Sequence, residues 1–223
     1  MGRLAHAVCI FDLDGTLVDS APDLAAALNR LLAEEGLPPM PLEEVRPLVG
    51  DGARAMLKAG FERQGRAFPD GEAQSELIAR YVEDYAGRIS EHSSLFPGVA
   101  DCLAELAASG ASLAVCTNKR TRLAELLLKN MGIFETFDLV VAADTLAERK
   151  PSPLPLRHIV ETTARPRGIM IGDTATDVLA AKAAAMPVIV MRSGYGFHDA
   201  RVAEAIEAEG FADIPALIND HLR

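Results

Sequence analysis

The stretch Ala7-Val-Cys-Ile-Phe-Asp12-Leu-Asp14-Gly-Thr16 decides the fold of this chain of 223 residues. A short apolar run that stops abruptly at polar residues is typical of a strand buried on both faces of a parallel sheet. Asp12 and Asp14 are two positions apart, so their side chains point to the same side of an extended segment. The sequence therefore predicts a buried first strand that carries two carboxylates at its carboxyl end.

Four later apolar runs have the same form as the first. They extend from Leu113 to Cys116, from Leu139 to Ala142, from Ile169 to Ile171 and from Val188 to Met191. Helical patterns lie between the later runs, for example at Val99, Leu103 and Leu106. This alternation of strand and helix predicts an α/β fold with an open, doubly wound parallel sheet of the Rossmann-like kind.

About a hundred residues separate the first run from the second, which is far more than one crossover helix needs. Within this stretch, apolar residues at helical spacing near 24–32, 53–61 and 77–85 predict three amphipathic helices. We therefore expect an α-helical cap domain at residues 17–91. It would be inserted into a core domain that consists of residues 1–16 and 92–223.

Composition limits the classes of partner and compartment. The 22 basic and 32 acidic residues leave a formal charge of -10, which opposes binding to nucleic acid and to anionic membranes. No apolar run approaches the length of a membrane span or of a signal peptide, so we expect a cytoplasmic protein. Cys9, Cys102 and Cys116 are widely spaced, and we expect buried free thiols. Monomer and homodimer both stay open.

In an open parallel sheet, ligands bind outside the carboxyl ends of the strands, so the residues that follow each run are candidates for a site. Those residues are Thr117, Asn118 and Lys119 after the second run, Lys150 after the third, and Asp173 and Asp177 after the fourth. Taken singly, Thr117, Asp173 and Asp177 could cap helices, and Lys150 could be a solvated loop residue. Together they would crowd four carboxylates at one edge. A lysine and a divalent cation would offset the repulsion, and oxygen ligands favour Mg²⁺.

With these motifs in this order, the sequence resembles the haloacid dehalogenase superfamily, specifically its phosphatases with a helical cap after the first motif. The resemblance covers essentially the whole chain. It implies that Asp12 is the nucleophile and that Asp14 is the proton donor. It also implies that Thr117, Asn118 and Lys150 bind the phosphate.

The same resemblance implies a Mg²⁺ ion held by Asp12, by the backbone carbonyl of Asp14 and by Asp173, with Asp177 orienting these ligands. The segments Val49-Gly-Asp-Gly-Ala-Arg54 and Ser193-Gly-Tyr-Gly196 are most similar to those of phosphoglycolate phosphatases. The implied function is hydrolysis of a small phosphorylated metabolite, with 2-phosphoglycolate as the first choice, through an aspartyl-phosphate. Arg54 is a candidate for binding a substrate carboxylate, although it could equally be a solvated arginine at a helix start.

Other functions stay open at this point. A phosphatase for a sugar phosphate or pyrophosphate, and a phosphomutase similar to β-phosphoglucomutase, would share every motif. A haloacid dehalogenase would have no use for Asp14 and Asp173 in these roles. A phospho-accepting signalling module would combine similar residues on a shorter chain without a cap.

Overall fold

The structure, a computed structural model, describes residues 3–196 and 205–222. The chain forms two compact units, and we call Met1–Val18 with Leu95–Arg223 the core unit and Asp19–Ser94 the insert unit. The expected cap at 17–91 overlaps the insert unit over residues 19–91. The function of this unit as a cap stays a prediction.

Eight strands occur among the described residues. In chain order they are β1 (Ala7–Phe11), β2 (Val18–Asp19), β3 (Ser94–Leu95), β4 (Ser112–Cys116), β5 (Leu139–Val141), β6 (Arg167–Gly172), β7 (Val188–Met191) and β8 (Ile206–Ala208). Six of them form one parallel sheet in the order β5-β4-β1-β6-β7-β8, while β2 and β3 form a two-stranded sheet. The predicted doubly wound α/β fold is confirmed, with β8 as an edge strand that the apolar pattern did not reveal.

The described part of the chain also contains nine α-helices. They are α1 (Ala21–Glu34), α2 (Leu42–Val45), α3 (Ala53–Arg63), α4 (Gly71–Gly87), α5 (Val99–Ala108), α6 (Thr121–Asn130), α7 (Leu154–Thr163), α8 (Ala175–Ala183) and α9 (Ile214–His221). Helices α7 and α8 pack on the sheet face that presents Val8 and Ile10. Helix α5 packs against β4 and α9. The connections from β1 to β4 and from β4 to β5 run across the sheet in the opposite direction to those from β5 to β6 and from β6 to β7. Right-handed crossovers therefore place α5 and α6 on the other face.

The order of the strands places a switch point at β1, because β4 lies on one side of it and β6 on the other. Phe11 is in register with Val115 of β4 and with Ile171 of β6. Asp12, Thr117 and Asp173 therefore leave the sheet within one residue of the same level. A crevice outside the carboxyl ends of the strands at such a point is where open α/β sheets bind ligands.

The insert unit is organised around α1, which packs against α2, α3 and α4. The side-chain amide of Asn29 holds the turn before α2, since it accepts from the Met40 amide at 2.7 Å and donates to the Met40 carbonyl at 3.0 Å. The carboxylate of Asp23 accepts hydrogen bonds from the backbone amides of His92 and Ser93. The last residues of the unit are thus fixed to its first helix.

All three cysteines are buried and free, as predicted. Burial raises the pKa of each thiol to about 12, so the thiols are protonated at neutral pH. Among the described residues, no helix combines the length and the apolar character that are needed to cross a membrane.

The sheet interior provides a direct test of this architecture. Ile10 is fully buried in β1, and its truncation leaves a cavity at the centre of the sheet. We expect Ile10→Ala to lower the free energy of unfolding by about 2–5 kcal/mol, measured by urea denaturation. Leu179 on α8 is 41% exposed, so Leu179→Ala is the matched control and should change stability by no more than about 0.5 kcal/mol. Equal effects of the two substitutions would contradict the assigned position of β1.

Candidate active site

Three carboxylates meet where β1 and β6 end. Asp12, Asp173 and Asp177 each offer an oxygen, and these oxygens all lie within 4.8 Å of one another. Asp173 and Asp177 are fully buried, and Asp12 is 8% exposed. Because buried negative charges at this spacing repel strongly, the cluster requires compensating donors or cations.

Lys150 provides one compensating positive charge. Its Nζ lies 2.5 Å from Oδ1 of Asp177 and 3.1 Å from Oδ1 of Asp12. Nδ2 of Asn118 donates to the backbone carbonyl of Lys150 at 3.0 Å, which ties the lysine's loop to the end of β4. Burial by itself would lower the pKa of Lys150, but Asp12 and Asp177 raise it above its ordinary value. The ammonium is therefore charged.

Asp177 also accepts hydrogen bonds from two groups of Thr174, a residue outside the acidic cluster. Its Oδ2 accepts hydrogen bonds from the backbone amide of Thr174 at 3.0 Å and from the hydroxyl of Thr174 at 2.8 Å. It thus caps α8, as the capping alternative for this residue anticipated. Its other oxygen is the one in contact with Lys150. Asp177 therefore joins the start of α8 to the lysine.

Asp173 is held by a hydroxyl and by backbone amides. Its Oδ1 accepts from Oγ1 of Thr16 at 2.8 Å, and its Oδ2 accepts from the amide of Tyr195 at 2.8 Å. The loop after β7 thus reaches the cluster through its main chain. A Cβ added to Gly194 would lie 2.0 Å from Cβ of Asp173, so only glycine fits at that position.

The electrostatics and the donor set fit a divalent cation. Burial raises the pKa of Asp12 to about 7, with Asp177 and Asp14 adding to the rise and Lys150 opposing it. Burial likewise raises the pKa of Asp173 to about 8, and Asp177 and Asp12 add to that rise. A bound cation stabilises the ionised form of such carboxylates. A set of ligands that are all oxygen atoms suits Mg²⁺. Asp12 and Asp173 are the residues whose side chains would hold it, and the contribution of the Asp14 backbone carbonyl stays a prediction.

Asp14 lies beside a cation to which sequence reasoning gave no role. Nζ of Lys119 is 3.0 Å from Oδ1 and 3.2 Å from Oδ2 of Asp14. The two side chains are only 6% and 10% exposed. The available signal was the position of Lys119 just beyond β4, at the same edge of the sheet as Asp14. A lysine in a loop is usually solvated, so its position alone did not reveal this contact.

The remaining predicted residues fall into two groups. Thr117 is buried, and its Oγ1 accepts from the amide of Lys119 at 3.1 Å. Because Thr117 and Asn118 directly follow β4, they lie at the edge of the sheet where the carboxylates meet. Arg54 belongs to the insert unit, is exposed, and donates from Nε to Oε1 of Gln74 at 3.0 Å. The roles of Thr117 and Asn118 in phosphate binding, and of Arg54 in substrate binding, stay predictions.

The doubly wound sheet and the buried acidic cluster at its switch point define an α/β enzyme with a metal-compatible site. A family model described as haloacid dehalogenase-like hydrolase matches residues 9–191. The chain belongs to this family.

Individual relatives show which members of the family this chain is similar to. A phosphoglycolate phosphatase of Caulobacter vibrioides is 40% identical over 218 residues, which cover 95% of this chain and 90% of the relative. The crystal structure of a predicted phosphoglycolate phosphatase from Haemophilus somnus 129pt has a TM-score of 0.88 at 27% identity and covers 97% of this chain and 99% of that one.

A third relative, CbbY from Rhodobacter sphaeroides, has been solved in complex with phosphate and, as a mutant, with xylulose 1,5-bisphosphate. The phosphate complex has a TM-score of 0.78 at 28% identity and covers 95% of this chain and 96% of that one. The predicted resemblance to haloacid dehalogenase phosphatases of the phosphoglycolate type is confirmed.

The loop after β7 provides a test of the metal site. We expect Gly194→Ala to displace Asp173 and to weaken Mg²⁺ binding about 10- to 100-fold, measured by titration calorimetry on the folded variant. The matched control is Gly87→Ala at the end of α4, where an added Cβ meets nothing within 4 Å, and it should bind Mg²⁺ as the parent does. Undiminished Mg²⁺ affinity in a folded Gly194→Ala variant would refute the proposed position of the metal.

Proposed function

We propose that the chain is a Mg²⁺-dependent phosphatase that hydrolyses 2-phosphoglycolate through an aspartyl-phosphate on Asp12. The observation that carries the reaction is the contact between Asp12 and Lys150 beside Asp173, at the switch point of the sheet. The choice of substrate is supported by the 40% identity to a phosphoglycolate phosphatase over 95% of this chain.

In the first half of the reaction, the Asp12 carboxylate attacks the phosphorus atom. Oδ1 of Asp12 accepts from the amide of Leu13 at 2.7 Å and contacts Lys150 at 3.1 Å, and these contacts orient the carboxylate. A bond forms between an Asp12 oxygen and phosphorus, while the bond from phosphorus to the leaving oxygen breaks. Asp14 transfers its proton to that oxygen, so glycolate leaves as the neutral alcohol at this position.

In the second half, water attacks the phosphorus of the aspartyl-phosphate. Asp14 takes a proton from the water, the bond between phosphorus and Asp12 breaks, and inorganic phosphate is released. Asp14 is thereby reprotonated and Asp12 is again a carboxylate. A Mg²⁺ ion held by Asp12, the Asp14 carbonyl and Asp173 would supply positive charge that offsets the repulsion between the carboxylate nucleophile and the phosphate.

The transferring phosphoryl group also needs donors for its equatorial oxygens. We assign these to the Thr117 hydroxyl, the backbone amide of Asn118 and the ammonium of Lys150. The burial of Thr117 and Lys150 supports this assignment, since donors in a water-poor site interact more strongly with developing charge.

A cytoplasmic location forms part of the same proposal. It is supported by the three buried free thiols, which suit a reducing compartment. The net charge of -10 further favours a small metabolite over nucleic acid as the partner.

Hydrolysis of a sugar phosphate is the second candidate, because CbbY, at 28% identity, was solved with a sugar bisphosphate. We expect phosphate release from 2-phosphoglycolate to exceed that from a panel of sugar phosphates, pyrophosphate and simple alkyl phosphates. Chelation of Mg²⁺ should abolish release from all of them. Faster turnover of a sugar phosphate would keep the mechanism and replace the substrate, whereas no release from any compound would overturn the phosphatase assignment.

The nucleophile can be tested separately. We expect Asp12→Asn to abolish turnover and to prevent the appearance of a phosphorylated protein in rapid-quench mass spectrometry, because the amide is a poor nucleophile. Asp101→Asn, an exposed substitution on α5, is the matched control and should retain parental turnover. Near-parental hydrolysis by purified Asp12→Asn protein would eliminate Asp12 as the nucleophile.

A further inference from the structure

Two lysines whose side chains are almost fully buried contact the catalytic carboxylates. Lys150 contacts Asp12, the proposed nucleophile, and Lys119 contacts Asp14, the proposed proton donor. Each lysine thus forms an ion pair with one of the two carboxylates that act on opposite sides of the phosphorus atom.

The chemistry of the transfer places Lys119 at the leaving-group end of the site. The nucleophile and the leaving oxygen lie roughly in line across phosphorus. Direct protonation of the leaving oxygen by Asp14 requires hydrogen-bond distance, about 2.6–3.2 Å. Since Nζ of Lys119 is 3.0 Å from the same carboxylate, its charge lies next to the alcohol part of the substrate.

The backbone of Lys119 is fixed, so the position of its ammonium does not depend on a mobile loop. Its amide donates to Oγ1 of Thr117 at 3.1 Å, and its carbonyl accepts from the amide of Ala143 at 3.0 Å. The side chain is 6% exposed, so the charge acts in a water-poor environment where an ionic contact with a ligand is strengthened.

We propose that Lys119 is a specificity-determining residue that binds the carboxylate of the leaving alcohol. The preferred substrates are then phosphate esters of 2-hydroxy acids, in which the carboxyl carbon is two bonds from the ester oxygen. An ester oxygen and an ammonium that both contact Asp14 are close enough for such a short group to bridge them. This inference rests on the proposed phosphatase function and adds the group that selects the substrate.

The experiment compares two substrates of similar size in several purified variants. 2-Phosphoglycolate carries the carboxylate, and 2-hydroxyethyl phosphate has a hydroxymethyl group in its place. We expect Lys119→Met to lower the ratio of kcat/KM for 2-phosphoglycolate over 2-hydroxyethyl phosphate about 10- to 100-fold, mainly through KM. Lys119→Arg, which retains the charge, should restore part of the ratio. Lys129→Met is the matched control, since Lys129 is an exposed lysine paired with Glu125.

The outcomes separate this inference from the function on which it rests. If Lys119 acts only by positioning Asp14, Lys119→Met will reduce turnover of both substrates equally and leave the ratio unchanged. That result, with a parent enzyme that prefers 2-phosphoglycolate, would overturn the inference and keep the proposed function. A parent enzyme without that preference would overturn the choice of substrate, and the inference with it. A fall in the ratio with Arg54→Met but not with Lys119→Met would assign the carboxylate to Arg54 instead.

Discussion

The repulsion among Asp12, Asp173 and Asp177 is the constraint on which the rest of the site depends. Three buried carboxylates within 4.8 Å of one another are tolerated only because several parts of the core unit direct donors at them. Lys150 comes from the loop before α7, Thr16 follows β1, and the amide of Tyr195 follows β7. The sheet and its loops are therefore arranged around a concentration of negative charge that a bound cation would compensate.

Much of the fold was readable from the sequence because buried parallel strands are almost continuously apolar. The run at Ala7–Phe11 coincides with β1, and the run at Val188–Met191 coincides with β7. The signal failed where strand residues are not apolar. Strand β6 begins at Arg167, before its apolar part, and β8 has only three residues with an exposed Glu207 at its centre. An edge strand of that kind is defined by its pairing with β7, and the local hydrophobic pattern of the sequence does not indicate such pairing.

The candidate site was predicted as far as the order of the strands determines it. Residues that follow parallel strands such as β1, β4 and β6 meet at one edge of the sheet, so the sequence alone places Asp12 and Asp173 together. Two contributions were out of reach for physical reasons. The amide of Tyr195 acts through the main chain, which has no sequence signature, and Lys119 needed the observed side-chain geometry to reveal its contact with Asp14.

The two-stranded sheet of β2 and β3 has an evolutionary consequence. The insert unit begins in β2 and ends in β3, so its two ends lie side by side. A segment whose ends already meet can be lengthened, shortened or exchanged for another without disturbing the register of the main sheet. Descendants of this chain could therefore acquire new inserts by recombination and keep the acidic cluster unchanged. Laboratory chimaeras joined at the same two strands would make the same kind of exchange.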